Sequence, residues 1–310
     1  MPHLKRTNWG RWGTADQLGS LNFLTQAEVL RGIRSARQGK VFTLGGEFCR
    51  PEGDRLAPGR GSNLHLMTSD KSHFDSGRRA SLPNGGEFAD DMVMMYTHGT
   101  THVDALGHFW RGDRIYNDKP ASSTIGGLRV NSIVPIGARG IVGRGVLLDV
   151  ARFKGVSHLS QGQVVTLADL LATAAAQGVT IEPHDLLLVR TGWLGHFEEG
   201  ESNRADEDGF SEPGLQYDED LVDWFFEREI PLLATDGFTN ECWIDLNHEK
   251  TMELHISLMS ELGILFSELN VLDELAADCA SDGQFDFLYA ASPLMIYEAT
   301  AGPLNPVAIK

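Results

Sequence analysis

Helix-like and strand-like patterns of apolar residues alternate along most of the chain. Residues 26–38 and 166–178 have the spacing of amphipathic helices, and each begins with a capping box, Thr25 with Glu28 and Thr166 with Asp169. Further helices are predicted at 218–229 and 271–279. Apolar runs of strand length lie at 41–48, 91–97, 145–150, 185–192, 231–236, 262–269 and 285–293. This alternation predicts an α/β fold, a single domain of mixed, partly parallel sheet with helices.

Two segments stand outside this pattern. Residues 1–24 carry Trp9 and Trp12 among glycines, which indicates an ordered N-terminal arm rather than a solvated tail. Residues 50–90 are rich in glycine, proline and polar residues without a sustained period, so we expect a long loop. No internal repeat or linker divides the sequence, and we interpret 1–310 as one domain that includes the arm.

Composition narrows the class of partner. The 310 residues carry a formal charge of −17, which disfavours binding to nucleic acid because binders must neutralise phosphates with clustered cations. The longest apolar runs are far shorter than the roughly 20 residues that span a bilayer, and no signal peptide is recognisable. Three scattered cysteines support neither a disulfide framework nor a cysteine zinc site. We expect a cytoplasmic protein without a membrane partner.

The most informative segment runs from position 98 to position 108. It contains three of the 11 histidines, His98, His102 and His108, together with Asp104. All four positions are even, so an extended backbone would project these side chains to one side. Imidazoles and a carboxylate suit Zn²⁺, Mn²⁺ or Fe²⁺ and leave positions open for water or substrate. The competing interpretation is a polar loop with coincidental histidines.

Other catalytic motifs are missing or incomplete. His248-Glu249 resembles the start of a zinc-protease motif, but Met252 stands where its second histidine belongs, and no G-x-S-x-G or P-loop pattern occurs. One alternative chemistry remains: His102-x-Asp104 with a distant His255 would form the facial triad of a non-haem Fe(II) oxygenase. That triad gives His98 no role.

The 98–108 segment resembles the His-x-Gly-Thr-His-x-Asp-x-Pro-x-His signature of the cyclase-like metal-dependent hydrolases, which include bacterial kynurenine formamidase and isatin hydrolase. Two positions depart from it, since Gly99-Thr100 follows His98 directly and Leu106 replaces the proline. Residues 8–25, 186–193 and 299–310 are similar to further segments of the longer members. The resemblance implies a swivelling β/β/α fold and hydrolysis of a small amide, formamide, cyclic imide or lactone.

The resemblance also implies roles for particular residues. His98, His102 and Asp104 match metal ligands, and His108 matches a histidine that shuttles a proton; a fourth-ligand role for His108 stays open. His255 and Glu268 match ligands of a second ion, with Asp104 able to bridge. They could instead be an ordinary helix histidine and a surface acid. The implied cofactor is zinc or manganese, one or two ions per chain.

Aromatic residues near the segment suggest the substrate. Phe109 and Trp110 follow His108, and Trp9, Trp12 and Trp193 could approach the same cleft or simply belong to the core. A pocket lined by them would favour a cyclic or aromatic small molecule. Within the loop, Arg55, Arg60, His65 and Lys71 could contact a carboxylate or form a solvated lid. The tryptophans of the arm could also dock on a second subunit, and we expect a homodimer or homotetramer.

Overall fold

A mixed sheet organises the computed structural model, which describes residues 6–51, 54, 59–198, 212–245 and 250–310. Among these residues the main sheet has nine strands in the order β1-β17-β15-β7-β9-β11-β14-β4-β16. The strands are β1 Val41–Thr43, β2 Leu64–Ser69, β3 Asp90–Met94, β4 His102–Asp104, β5 Arg114–Ile115, β6 Lys119–Pro120, β7 Ile141–Asp149, β8 Val164–Val165, β9 Leu186–Arg190, β10 Gly214–Leu215, β11 Leu232–Thr235, β12 Ile244–Asp245, β13 Lys250–Thr251, β14 Leu265–Glu268, β15 Asp286–Ala291, β16 Ala301–Pro303 and β17 Val307–Ile309.

Helices cover and connect these strands. The α-helices are α1 Gln26–Ser35, α2 Lys71–Asp75, α3 Ile133–Arg139, α4 Val150–Phe153, α5 Leu167–Gln177, α6 Trp193–Glu198, α7 Glu219–Arg228 and α8 Asp273–Asp282. Short 3₁₀ turns lie at Gly19–Phe23, Tyr116–Asp118 and Ala121–Thr124, and a π-helix spans His255–Glu261. Across the described ranges, no helix is long and apolar enough to cross a membrane.

The centre of the sheet is parallel and its flanks are antiparallel. β7, β9, β11 and β14 run parallel, whereas β14 pairs with β4, and β4 with β16, in antiparallel fashion. Residues 186–189 of β9 and 232–234 of β11 are all fully buried. Strands covered on both faces need continuous apolar runs, which explains why these sequences do not alternate.

Most predicted elements are confirmed. The capping boxes of α1 and α5 form as expected, Thr25 with Glu28 and Thr166 with Asp169. α1 ends at Ser35, three residues before the predicted end, and the strand predicted at 41–48 stops at Thr43. The strand predicted at 145–150 begins already at Ile141, because glycines at 143 and 145 leave room for Leu24 and Phe287 against the strand.

The expectation of a long loop over 50–90 was wrong in its middle, where residues 64–69 form β2 and residues 71–75 form α2. β2 and β3 pair as an antiparallel hairpin, and α2 lies between them. Asp70 caps α2 by accepting the backbone N–H of Ser72 at 2.9 Å. The apolar residues of β2 form only a short run between polar residues, so the sequence pattern did not predict a strand there. Arg55, His248 and Glu249 lie outside the described residues.

The N-terminal segment packs along the body of the chain. Trp9 is half-buried against the core, and its indole donates to the backbone oxygen of Ser260 at 2.7 Å. Asn8 donates through its side chain to the oxygen of Leu262 at 2.9 Å, so this segment holds the end of the π-helix. Trp12 packs edge-on against Phe23 at 5.0 Å. Both predicted docking tryptophans therefore find partners within their own chain.

Candidate metal centre

Two adjacent strands bring three potential ligands together. β4 and β14 pair with Glu268 directly opposite His102, and Asp104 lies two residues along β4 on the same face. His102 Nε2 lies 3.2 Å from Glu268 Oε2 and 3.4 Å from Asp104 Oδ1. All three side chains are buried. The pairing register, rather than the local sequence, places Glu268 here.

His98 and His108 reach the same centre from the turns on either side of β4. His98 Nε2 lies 3.3 Å from Asp104 Oδ1, and the His108 ring lies 4.3 Å from the His98 ring. Ligand atoms of His98, Asp104 and His108 all fall within 4.8 Å of one another. The segment 98–108 is not extended throughout, because only 102–104 is a strand. The side chains converge through turns instead.

A glycine allows the first of these turns to pack closely. A Cβ on Gly99 would lie 2.6 Å from Asn63 Oδ1 and 2.8 Å from the backbone oxygen of Tyr96. Asn63 in turn donates to the oxygen of Gly99 at 2.7 Å, and Arg60 donates to the oxygen of His98 at 3.1 Å. Arg60 therefore supports the backbone of the site.

His255 completes the cluster from the first residue of the π-helix. Its Nε2 lies 3.5 Å from Glu268 Oε1 and 4.0 Å from Asp104 Oδ2. Its Nδ1 faces Glu241 Oε1 at 2.6 Å. Glu241 also accepts the backbone N–H groups of Leu254 and His255 at 2.8 and 2.9 Å. The sequence analysis missed Glu241, whose position beside His255 depends on the tertiary fold.

Hydrogen bonds on the outer nitrogens orient two of the imidazoles. His102 Nδ1 lies 2.7 Å from the backbone oxygen of Thr100, which can only accept, so Nδ1 carries a proton. The carboxylate of Glu241 accepts in the same way from His255 Nδ1, so that nitrogen also carries a proton. In the neutral rings, Nε2 then offers its lone pair to the centre, as is usual for metal-binding histidines.

The atoms that face the centre lack conventional partners. His98 Nε2, His102 Nε2, both carboxylate oxygens of Asp104 and Glu268 Oε1 are buried without a hydrogen bond among the described residues. Buried polar atoms are rarely left so, because desolvation without a partner is costly. A divalent cation coordinated by these atoms would remove that cost, and their nitrogen and oxygen chemistry suits one.

The electrostatics of the cluster show the same preference for positive charge. Burial alone would lower the pKa of His102, but the nearby carboxylates of Asp104 and Glu268 outweigh it and raise that pKa to about 9. Burial would raise the pKa of Asp104, yet the surrounding histidines, His108 first, hold it well below its usual range. Burial and nearby positive charge lower the pKa of His108 to about 3, which keeps its ring neutral.

Of the other aromatic and polar residues considered in the sequence, some lie beside the cluster and others lie away from it. The Phe109 ring lies 5.1 Å from the His255 ring, beside the cluster. Trp193 packs near His196 at 5.5 Å instead. His65 forms a hydrogen bond with Asp91 at 2.8 Å and Lys71 an ion pair with Glu87 at 2.7 Å, so both side chains have partners at the surface. A cavity of about 230 Å³ borders the turn that supports His102, and its lining includes Gly99, Thr100, Thr101 and Leu269.

Fold and sequence together define the class. The family model of the Cyclase family, described as putative cyclase, matches residues 42–241, and the chain belongs to this family. The crystal structure of a novel cyclase is 33% identical, covers 100% of this chain and 99% of its own, and superposes with a TM-score of 0.87. The predicted fold class is thereby confirmed.

More distant structures share the fold. Isatin hydrolase A from Labrenzia aggregata, bound to benzyl benzoate, is 17% identical over 87% of this chain and 93% of its own, with a TM-score of 0.58. Isatin hydrolase A from Ralstonia solanacearum is also 17% identical, over 87% and 91%, with a TM-score of 0.58. No curated protein sequence matches significantly.

Proposed function

We propose that the chain is a metal-dependent hydrolase that cleaves a C–N or C–O bond of a small amide, formamide, cyclic imide or lactone. The observation that carries the proposal is the set of buried nitrogen and carboxylate atoms without hydrogen-bond partners among the described residues. Ligand atoms of His98, Asp104 and His108 lie within 4.8 Å of one another, and so do those of His102, Asp104 and Glu268. The sequence signature of residues 98–108 and the isatin hydrolases among the structures that share the fold support the same chemistry.

In this proposal His98, His102 and Asp104 hold the first ion. Asp104, His255 and Glu268 would hold a second ion, because His255 Nε2 lies 4.0 Å from the carboxylate of Asp104 and 3.5 Å from that of Glu268. Imidazole and carboxylate donors suit zinc or manganese. A bound ion of this kind supplies an activated water and polarises the carbonyl of the substrate.

The chain's own residues manage the proton. His108 is mostly buried beside His98, and its neutral ring can accept a proton from the attacking water. The protonated ring then returns that proton to the leaving nitrogen or oxygen. The charge of Asp104 stabilises the intervening imidazolium. Phe109 provides an apolar wall beside His255, which favours a cyclic or aromatic substrate.

The oxygenase alternative uses fewer of the clustered residues. A triad of His102, Asp104 and His255 would leave His98 and Glu268 without a role, although His98 Nε2 lies 3.3 Å from Asp104 and Glu268 directly faces His102. The hydrolase employs all of them. Turnover of an amide or lactone under argon separates the two, because an oxygenase consumes dioxygen.

Metal analysis by mass spectrometry of protein purified without chelator tests the proposal. We expect one or two equivalents of zinc or manganese per chain and a sharp fall in His102→Ala. His65→Ala is the matched control, since His65 lies outside the cluster and pairs with Asp91. A chain that binds no ion after incubation with both metals would contradict the proposal. Formamides, cyclic imides and lactones are then screened for hydrolysis.

A further inference from the structure

Glu212 is a buried acid that belongs to neither group of ligand atoms in the candidate metal centre. It lies two residues before β10 and packs against the turn that follows β11. A Cβ on Gly237 would lie 3.1 Å from Glu212 Oε2, and a Cβ on Gly214 would lie 2.4 Å from the carbonyl carbon of Glu241. Larger residues at these two positions would therefore crowd the contact that encloses the Glu212 carboxyl group.

The carboxyl group of Glu212 has two hydrogen-bond partners, both in this turn. Its Oε2 accepts the backbone N–H of Phe238 at 2.7 Å, and its Oε1 is hydrogen-bonded to the hydroxyl group of Thr239. The same hydroxyl oxygen lies 2.7 Å from the carbonyl oxygen of Glu241, to which no other group donates among the described residues. A carboxyl, a hydroxyl and a carbonyl oxygen thus form one row of hydrogen bonds.

This row has too few protons if Glu212 is ionised. A threonine hydroxyl carries one proton, and a backbone carbonyl can only accept. When Thr239 donates to Glu241, its oxygen must accept from Glu212, so Glu212 Oε1 carries a proton. A carboxylate would instead take the proton of Thr239 and leave the Glu241 carbonyl buried without a donor, which is costly. The geometry therefore favours a neutral carboxylic acid.

The electrostatic surroundings of Glu212 act in the same direction. Burial raises the pKa of Glu212 to about 8, and the charge of Glu268 also raises it. Asp104, Glu241 and Glu268 already bring three buried carboxyl groups into or beside the candidate metal centre. A neutral acid makes its hydrogen bonds without the addition of a further negative charge.

The row of hydrogen bonds ends on the residue that orients His255. The backbone of Glu241 is bonded twice to Thr239, because its N–H donates to the Thr239 carbonyl at 2.6 Å and its own carbonyl accepts the Thr239 hydroxyl. Its side chain accepts from His255 Nδ1 at 2.6 Å. Glu212 thus acts on the candidate metal centre only through Glu241.

We propose that Glu212, as a neutral carboxylic acid, is a positioning residue that fixes Glu241 and, through Glu241, the imidazole of His255. The inference rests on the proposed function, because His255 is a ligand only if the centre binds an ion. Glutamine can replace such an acid, since its carbonyl accepts from Phe238 and its NH₂ group donates to Thr239. Methionine has a similar length but has no proton to donate to Thr239.

Asp236 provides a matched control of the opposite kind. It is as deeply buried as Glu212, but its oxygens accept the N–H and hydroxyl of Thr191 at 2.8 and 2.7 Å and the N–H of Gly192 at 2.7 Å. All three partners donate, so an amide here would direct an NH₂ group at a donor. Thermal unfolding at pH 7 should therefore show a lower Tm for Asp236→Asn but not for Glu212→Gln. An equal fall in both variants overturns the proposal.

Infrared spectroscopy of the full chain at pH 7 tests the protonation of Glu212 directly. The wild-type spectrum minus that of Glu212→Gln should contain the C=O stretch of a protonated carboxyl group, and this band should shift in D₂O. A difference that contains carboxylate bands alone overturns the proposal. The measurement needs neither an ion nor a substrate, and it does not depend on a destabilised variant.

Hydrogen exchange tests the positioning. Glu241 accepts the backbone N–H groups of Leu254 and His255, so these amides should exchange faster in Glu212→Met, whereas Glu212→Gln restores the wild-type rate. Affinity for the more weakly held ion, from chelator competition, should follow the same order, with a roughly 10- to 100-fold loss in Glu212→Met. Wild-type exchange in Glu212→Met, or equal acceleration in both variants, overturns the proposal. A wild type that binds no ion but shows the expected exchange pattern contradicts the hydrolase alone.

Discussion

Glu241 and His255 are joined by a 2.6 Å hydrogen bond between a carboxylate oxygen and Nδ1, and both residues are buried. The same carboxylate accepts two backbone N–H groups where the π-helix begins. One acid therefore fixes both the start of the helix and the orientation of the imidazole that it presents. Such outer partners tune the affinity of metal-binding histidines.

Glu241→Gln should weaken binding at the Asp104–His255–Glu268 side of the cluster. The Gln amide keeps only one accepting oxygen, whereas the two carboxylate oxygens of Glu241 accept separately from Leu254 and from His255. The amide is also uncharged, so it supports the imidazole of His255 less well. We expect a roughly 10- to 100-fold loss of affinity for the more weakly held ion. Competition with a chromophoric chelator measures this. Glu253→Gln, which removes the partner of Arg111 outside the cluster, is the control, and equal affinities in both variants would contradict the role of Glu241.

His108→Ala should separate proton transfer from metal binding. If His108 acts as the acid–base residue, the variant keeps its fold and its metal while its activity falls by roughly 10²- to 10⁴-fold. Metal analysis and kcat are measured on the same preparation. Loss of the ion together with activity would instead identify His108 as a ligand, the alternative that its 4.3 Å approach to His98 leaves open.

Removal of metal should lower the stability of the folded chain. An ion that binds only the native state adds about 4 kcal/mol to the free energy of unfolding at a free concentration a thousand times its Kd. Thermal melts with and without EDTA should therefore differ for the wild type. Asp104→Ala should show little difference, because both groups of ligand atoms include Asp104. A wild type indifferent to EDTA would argue against a bound ion.

Glu212 should make stability fall with rising pH. Burial and the charge of Glu268 raise its pKa to about 8, although the N–H of Phe238 and the hydroxyl of Thr239 bond to it. The folded state thus keeps a proton that the unfolded state releases near pH 4.5, so this contribution is full below that pH and is lost as the pH rises through 8. Glu212→Gln should remove that dependence.

The comparison is made on EDTA-treated protein by urea unfolding between pH 5 and 8. We expect the wild type to lose roughly 3 kcal/mol relative to Glu212→Gln across this interval. Parallel pH profiles for the two proteins would show that Glu212 titrates normally in the folded state.

The part of the site that depends on short-range sequence was predictable. His98, His102, Asp104 and His108 lie within one segment, so spacing alone suggested the cluster. Glu268 was accessible only through resemblance to a family, and His255 only as one distant histidine among several, since their approach depends on the β4–β14 register and on the packing of the π-helix. Glu241 carried no signal, because an isolated acid gains meaning only from its tertiary neighbours.

The elements of the fold also differ in whether the local sequence alone predicts them. Strands buried on both faces are predictable from continuous apolar runs, as in β9, and capped helices from capping boxes, as in α5. The β2–β3 hairpin was not, because its alternation is short and lies in a region rich in glycine and proline. Its apolar residues are exposed, so no alternation between buried and exposed positions marks them as strand residues.

The attachment of Asn8 and Trp9 to the end of the π-helix has a consequence for biosynthesis. Their partners, the backbone oxygens of Ser260, Glu261 and Leu262, lie about 250 residues further along the chain. At roughly 5–20 residues per second, the ribosome presents the first half of this contact some tens of seconds before the second. The contact that holds the end of this π-helix can therefore form only after residues 260–262 have been synthesised. Until then the segment that carries Asn8 and Trp9 has no partner at this position.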